Sequence, residues 1–255
     1  MSAKNEETKK ETLLPVEIEK GIQAIDLCLY IQEDDCMIFS DMQLGMEEQY
    51  NKQGIFIPRF NFEEIKKRLK KIFQKKTSAS HIILNGDIKH GFGKATNQEW
   101  REITQLIEIL GEHTQKITLT KGNHDISLEP IAKFSKLKIE KEGTLLKNSN
   151  TYICHGHEIP KNKKYQKAKT IVIGHEHPAI ELKEGATKQK YKCFLVGKFE
   201  EKKLIVLPSF NFANVGSDPR EGTLSPFLQK TNLNEFNAWL VEDTVYNFGK
   251  IKNMK

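Results

Sequence analysis

Five of the chain's eight histidines fall in three short clusters, Gly122-Asn123-His124-Asp125, His155-Gly156-His157 and Gly174-His175-Glu176-His177. Each cluster follows an apolar run that reads as a strand. Two more strand-like runs upstream end in carboxylates, Asp41 (with Gln43 two residues on) and Asp87. Asp, Asn, Gln and His at the exits of several strands are aimed at one shared place. Carboxylate oxygens and imidazole nitrogens converging in this way suit a pair of divalent cations, and such a pair suits hydrolysis of a phosphate ester. Alone, each cluster reads as an ordinary turn. Five in order, each at the exit of an apolar strand, carry the inference together.

The elements that must position these groups are legible as alternating strands and helices. Residues Ala24 to Ile31 read as a strand, Glu33-Asp34-Asp35 as a turn, and Cys36 to Ser40 as the returning strand that delivers Asp41. Asn61-Phe62-Glu63-Glu64 resembles a capping box, with Ile65, Leu69, Ile72 and Phe73 on one face of a basic amphipathic helix. His81 to Asn85 is the next strand. Asn97 is placed to cap a second helix with Trp100, Ile103, Ile107 and Leu110 as its buried stripe and Gly111 at its end. Ile117 to Thr120 is again a strand. This strand–helix–strand order argues an α/β fold with a mostly parallel sheet. From Thr144 onward short strands dominate: 144–147, 151–154, 170–173, 191–199, 203–207 and 237–246, with one helix around Asn162 to Lys169. Two sheets packed face to face explain that change. No internal repeat or linker appears, so residues 14–255 read as one domain behind a polar, disordered stretch over residues 1–13.

Composition narrows the class further. Hydrophobic residues make up 38% of the 255, enough for a core, and no run approaches the length of a membrane span. No apolar signal-peptide stretch follows the polar opening residues. Cys28, Cys36, Cys154 and Cys193 stand singly, which predicts free thiols and a reducing, cytoplasmic setting. The net charge of +6 comes almost wholly from lysine, with arginine only at positions 59, 68, 101 and 220. Lysine is a hydrated point charge rather than a bidentate phosphate reader, so the excess reads as a solvated surface. The same reading applies to the lysine-rich run 161–169.

The ordered series Asp41-Met42-Gln43, Gly86-Asp87, Gly122-Asn123-His124-Asp125, His155-Gly156 and Gly174-His175-Glu176-His177 resembles the calcineurin-like metallophosphoesterase superfamily. Within it, Gly54-Ile55-Phe56-Ile57-Pro58, Gly174-His175-Glu176-His177-Pro178-Ala179 and Val206-Leu207-Pro208-Ser209-Phe210 resemble archaeal phosphoesterases related to the SbcD nuclease or described as ICC-like. The resemblance covers roughly residues 22–247 and implies a four-layer α/β/β/α sandwich of two mixed sheets. It implies one cation held by Asp41, Gln43, Asp87 and His177, and a second held by Asp87, Asn123, His155 and His175. The implied ions are two divalent metals, Mn²⁺ first, with Mg²⁺, Fe²⁺ or Zn²⁺ as alternatives. His124 is expected to protonate the leaving oxygen, with Asp125 orienting its imidazole. Gln43 stands where the family usually has histidine, and its harder oxygen favours Mn²⁺ or Mg²⁺.

The expected function is metal-dependent hydrolysis of phosphoesters, most of all phosphodiesters of nucleotide or nucleic-acid type, with no membrane partner. The alternative is a non-catalytic protein-interaction scaffold on the same fold, as in the retromer subunit. His157 reads as a loop histidine bonded to backbone, and His81, His90 and His113 receive no role. The segment Phe210-Asn211-Phe212 fits equally a wall of the site, a base-stacking surface or a structural plug.

Overall fold

Runs of β-branched and apolar residues build two mixed sheets whose exits meet at one edge of the molecule. The computed structural model describes residues 14–135, 137–185 and 187–254. The disorder expected over residues 1–13 lies outside them. The chain opens with β1 (Val16–Glu19), β2 (Ile22–Ile25), β3 (Cys28–Ile31) and β4 (Cys36–Ser40), each antiparallel to the last. Helices α1 (Met46–Lys52) and α2 (Asn61–Lys75) then lead to β5 (His81–Asn85), and α3 (Asn97–Gly111) leads to β6 (Ile117–Thr120). A short α4 (Glu129–Phe134) leads to β7 (Lys138–Glu140). Strands β4 to β7 run parallel, so β4, β5 and β6 finish at the same edge.

The second sheet holds β8 (Thr144–Leu146), β9 (Thr151–Ile153), β10 (Thr170–Ile173), β11 (Ala179–Glu184), β12 (Thr187–Phe199), β13 (Lys202–Val206), β14 (Asn237–Val241) and β15 (Val245–Lys250). Their order is β15-β14-β12-β13-β10-β9-β8, with β11 paired to β12. A short α5 (Lys163–Lys167) precedes β10. Strands β9, β10 and β13 are parallel neighbours.

Side-chain alternation assigns the two faces of this second sheet to different cores. Val172, Phe194, Val196 and Ile205 join the core shared with the first sheet and the stripes of α2 and α3. Their neighbours Ile171, Ile173, Leu195 and Leu204 pack outward with Tyr165 of α5, Phe227 and Phe236. The result is the α/β/β/α order, with an outer layer on the second sheet that is thin because α5 spans only five residues. No described helix is long and apolar enough to cross a membrane.

Several local expectations are corrected. The run 24–31 is two strands, β2 and β3, broken where Asp26 adopts a left-handed backbone (φ 58°). The run 237–246 likewise divides into β14 and β15. Thr96, not Asn97, caps α3 through a complete capping box with Glu99. Trp100 is 38% exposed, and Leu106 fills the stripe instead. Among the described residues no N-cap side chain caps α2; the Asn61 amide instead donates to the Met42 carbonyl and accepts from Phe212 N–H.

Candidate metal centre

The exits of β4, β5, β6, β9 and β10 supply every group singled out by the motifs. Ten described non-glycine residues have positive φ, and five of these are candidate ligands: Asp41 (54°), Gln43 (47°), Asp87 (47°), His175 (67°) and His177 (48°). A left-handed turn costs an L-residue about 1–3 kcal/mol and persists where its surroundings over-determine it. Glycines make room for the approach. A Cβ on Gly86 would strike the His155 ring, one on Gly122 the Asp87 carboxylate, and one on Gly174 the Ser40 hydroxyl and Asp41 carboxylate.

Asp41 is fully buried at the centre. One of its oxygens accepts from the Ser40 hydroxyl (2.6 Å) and the His175 N–H (3.1 Å). The other lies 3.0 Å from Nε2 of His177 and 3.8 Å from Nδ1 of His155. Asp87 accepts the His124 backbone N–H at 2.9 Å, and its second oxygen lies 3.2 Å from Nε2 of His155. Asn123 brings Oδ1 within 3.2 Å of that same nitrogen. Ligand atoms of Asp87, His155 and His175 all lie within 4.8 Å of one another. Gln43 lines the cleft, and its Oε1 accepts from Asn211 Nδ2 at 2.7 Å.

The electrostatics of this cluster call for added positive charge. Burial alone would push the His155 imidazole down, but the charges of Asp41 and Asp87 outweigh it and hold the group at about 9. Burial and the nearby His155 push His175 the other way, to about 4. Both carboxyls resist the penalty of burial: Asp41 is held well below its usual range by His177 and His155, and Asp87 is lowered by its bond to His155. Two buried carboxylates thus face one proton on His155, which leaves the pair short of positive charge. A cation fits this donor set by taking that proton's place, since a ligating imidazole must be neutral.

Residues 36–193 match the family model of calcineurin-like phosphoesterases, and that stretch contains all seven candidate ligands. The chain belongs to that family. Its fold is similar to that of nuclease MPE from Pseudomonas putida, at 16% identity over 92% of this chain and 98% of that one, with a TM-score of 0.65. More distant are the phosphoesterase YfcE from E. coli (15% identity, 80% and 87% covered, TM-score 0.39) and Vacuolar Protein Sorting 29 from Cryptosporidium parvum (11%, 84% and 97%, TM-score 0.37). No curated protein matches the chain in sequence.

In this calcineurin-like chain His124 also faces the cleft, a space of about 630 Å³. Its Nδ1 lies 2.5 Å from the His90 carbonyl, and the Phe92 ring covers it at a centroid distance of 3.8 Å. Asp125 does not orient that imidazole, which corrects the sequence expectation. Its two oxygens accept from Ile88 N–H (3.0 Å) and Gly122 N–H (2.9 Å), so it ties the β5 and β6 exits together. Burial, then the charge of Asp87, raises its carboxyl to about 6. His157 is half-buried beside His155 and His175, and its Nδ1 finds no partner among the described residues, so no backbone bond holds that nitrogen. The lysines at 161, 163, 164, 167 and 169 are exposed and away from the cleft lining, as read. Sequence reasoning gave His90 no role and named Asn211 only as part of the segment 210–212, without a contact to Gln43. A main-chain carbonyl leaves no mark in residue type; Asn211 sits between two phenylalanines after Pro208, which was the available signal.

Proposed function

We propose that the protein hydrolyses phosphodiesters of nucleotide or nucleic-acid type with two divalent cations, preferentially Mn²⁺. Asp41, Gln43, Asp87 and His177 would hold one ion, and Asp87, Asn123, His155 and His175 the other. When bound, the pair would neutralise phosphoryl oxygens and lower the pKa of an attacking water toward neutrality. The observation that carries this reading is the convergence of Asp41, Asp87, His155, His175 and His177 at a cleft that His124 also lines.

The chain's own residues do the rest. With Nδ1–H donated to the His90 carbonyl, His124 would give the leaving oxygen a second ring proton, carried on Nε2 3.8 Å from Asp87, and Phe92 restricts the ring's rotation. Met46, Tyr50, Ile55, Ile57 and Phe60 form an apolar wall of the cleft, and among the described residues no lysine or arginine lines it. A diester carries one negative charge and a second substituent to place on such a wall. A monoester dianion has more charge to meet and less surface to bury, so the lining favours the diester. The four cysteines are buried and free, which suits a reducing cytoplasmic setting. The interaction-scaffold alternative gives no reason for an oriented, cleft-facing His124.

Hydrolysis of bis-p-nitrophenyl phosphate and p-nitrophenyl phosphate, compared with Mn²⁺, Mg²⁺ and Zn²⁺, tests the reading. The diester should be cleaved faster, with Mn²⁺ the best activator. His124→Ala should lower kcat by ~10²-fold or more while metal uptake is retained. Metal uptake without any hydrolysis would favour the scaffold instead.

A further inference from the structure

Position 43 offers an amide where the family usually has an imidazole, and a residue from far along the chain settles which end of that amide is presented. Asn211 is fully buried. Its Oδ1 accepts the Ala213 backbone N–H at 2.8 Å, and a backbone N–H can only donate. The other end of the Asn211 amide is therefore its –NH₂, a donor without acceptor capacity. That end lies 2.7 Å from Gln43, so the facing atom of Gln43 must be Oε1. The chain of donors removes the usual ambiguity between oxygen and nitrogen in both amides.

The two residues are held in register from several sides. Phe210 N–H donates to the Ser40 carbonyl at 2.7 Å, and Phe212 N–H to Asn61 Oδ1 at 2.8 Å. The Phe210 ring packs edge-on against Phe39 of β4 at 5.2 Å. On the other side, Gln43 N–H donates to the Asp87 carbonyl at 3.0 Å. The two phenylalanines serve as anchors, and the asparagine between them reaches Gln43, which lines the cleft.

We propose that Asn211 is a positioning residue that holds Gln43 as an oxygen donor, making that cation position select hard ions, Mn²⁺ and Mg²⁺, over Zn²⁺. The proposal rests on the two-cation reading above. A carbonyl oxygen has two lone pairs; one takes the Asn211 N–H and the second remains for a cation. Without Asn211 the Gln43 amide is free to turn its –NH₂ to the cation, and an –NH₂ does not ligate. An oxygen at this position suits Mn²⁺ and Mg²⁺, whereas an imidazole suits Zn²⁺.

A double-mutant cycle on metal binding tests this. Metal-free parent, Asn211→Ala, Gln43→His and the double variant are titrated with Mn²⁺ and with Zn²⁺ by calorimetry, and their folding is followed by thermal melts. Asn211→Ala should weaken one of the two Mn²⁺ positions by ~10-fold or more and leave the other unchanged. In the Gln43→His background the same change should have almost no effect, because the histidine ligates through nitrogen whatever Asn211 does. Gln43→His alone should shift the preference toward Zn²⁺. Equal losses in both backgrounds, equal losses at both positions, or an unchanged Mn²⁺ titration for Asn211→Ala would overturn the proposal. If Asn211→Ala does not fold, Asn211→Leu, of similar size and without the donor, takes its place in the cycle. A folded parent that takes up no Mn²⁺ would overturn the two-cation reading, and the proposal with it, before any variant is compared.

Discussion

His155 is fully buried against two carboxylates, and its proton is the most direct handle on the chemistry of the site. Although burial works against it, Asp41 and Asp87 keep the imidazole protonated up to about pH 9 in the metal-free protein. A cation needs the lone pair that this proton occupies, so metal uptake must release it. Apparent Mn²⁺ affinity should therefore climb by about tenfold per pH unit below 9 and level off above it. Calorimetry at pH 7, 8 and 9 in buffers of different ionisation heat checks both the slope and the proton count; a flat profile would show that His155 does not ligate. The stability of the metal-free form has the opposite sign. A raised histidine pKa adds stability in full below about 6.5, and that contribution is lost as pH rises through about 9. At this scale the types and order of Asp41, Asp87 and the histidines were legible because strand exits carry their chemistry in the side chain. Asn211 was not, because it meets Gln43 across 168 positions of sequence. Nor was the role of Asp125, since a buried carboxylate beside two free backbone N–H groups satisfies those first.

Strand ends deliver the candidate ligands, and the glycines before them set how closely they meet. Gly174 has ordinary backbone angles, yet a Cβ there would strike Ser40 and Asp41. Gly174→Ala should cost about 1–3 kcal/mol in denaturant melts and weaken Mn²⁺ binding. Gly93→Ala, where a Cβ meets nothing within 4 Å among the described residues, is the control and should stay within about 0.5 kcal/mol. A neutral Gly174→Ala would mean that the β10 exit relaxes freely and is not braced by the site. The parallel strands β4, β5, β6 and β10 were legible because each is an apolar run of four or five residues followed by polar chemistry. Helix α1 was not, since Met46-Glu-Glu-Gln-Tyr50 has no apolar periodicity and its cap, Gly45, is left-handed rather than a side-chain acceptor. Trp100 misled for a related reason. It sits in a helical stripe by spacing, but in the first turn of α3 its side chain faces outward and packs beside Phe134 instead of entering the core.

The whole molecule is two sheets that share one core and one set of candidate ligands. Asp41, Gln43, Asp87 and Asn123 come from the first sheet, while His155, His175 and His177 come from the second. Cations held between them would join the sheets at the edge where their strands end. An ion at 100 times its dissociation constant should add about 2.7 kcal/mol to the stability of the folded chain. That gain should vanish with a chelator, as thermal melts would register. The two-sheet architecture was legible from the change in strand pattern from Thr144 onward, whereas the thinness of its outermost layer was not, because the run from Asn162 to Lys169 reads as a longer helix than the five-residue α5. Anomalous diffraction at the manganese edge, from crystals grown with Mn²⁺, tests the central claim most directly. Two peaks should appear on either side of the Asp87 carboxylate, one within ligand distance of His177 and the other of His155. A single peak, or peaks only elsewhere on the surface, would contradict a dinuclear centre built from these seven residues.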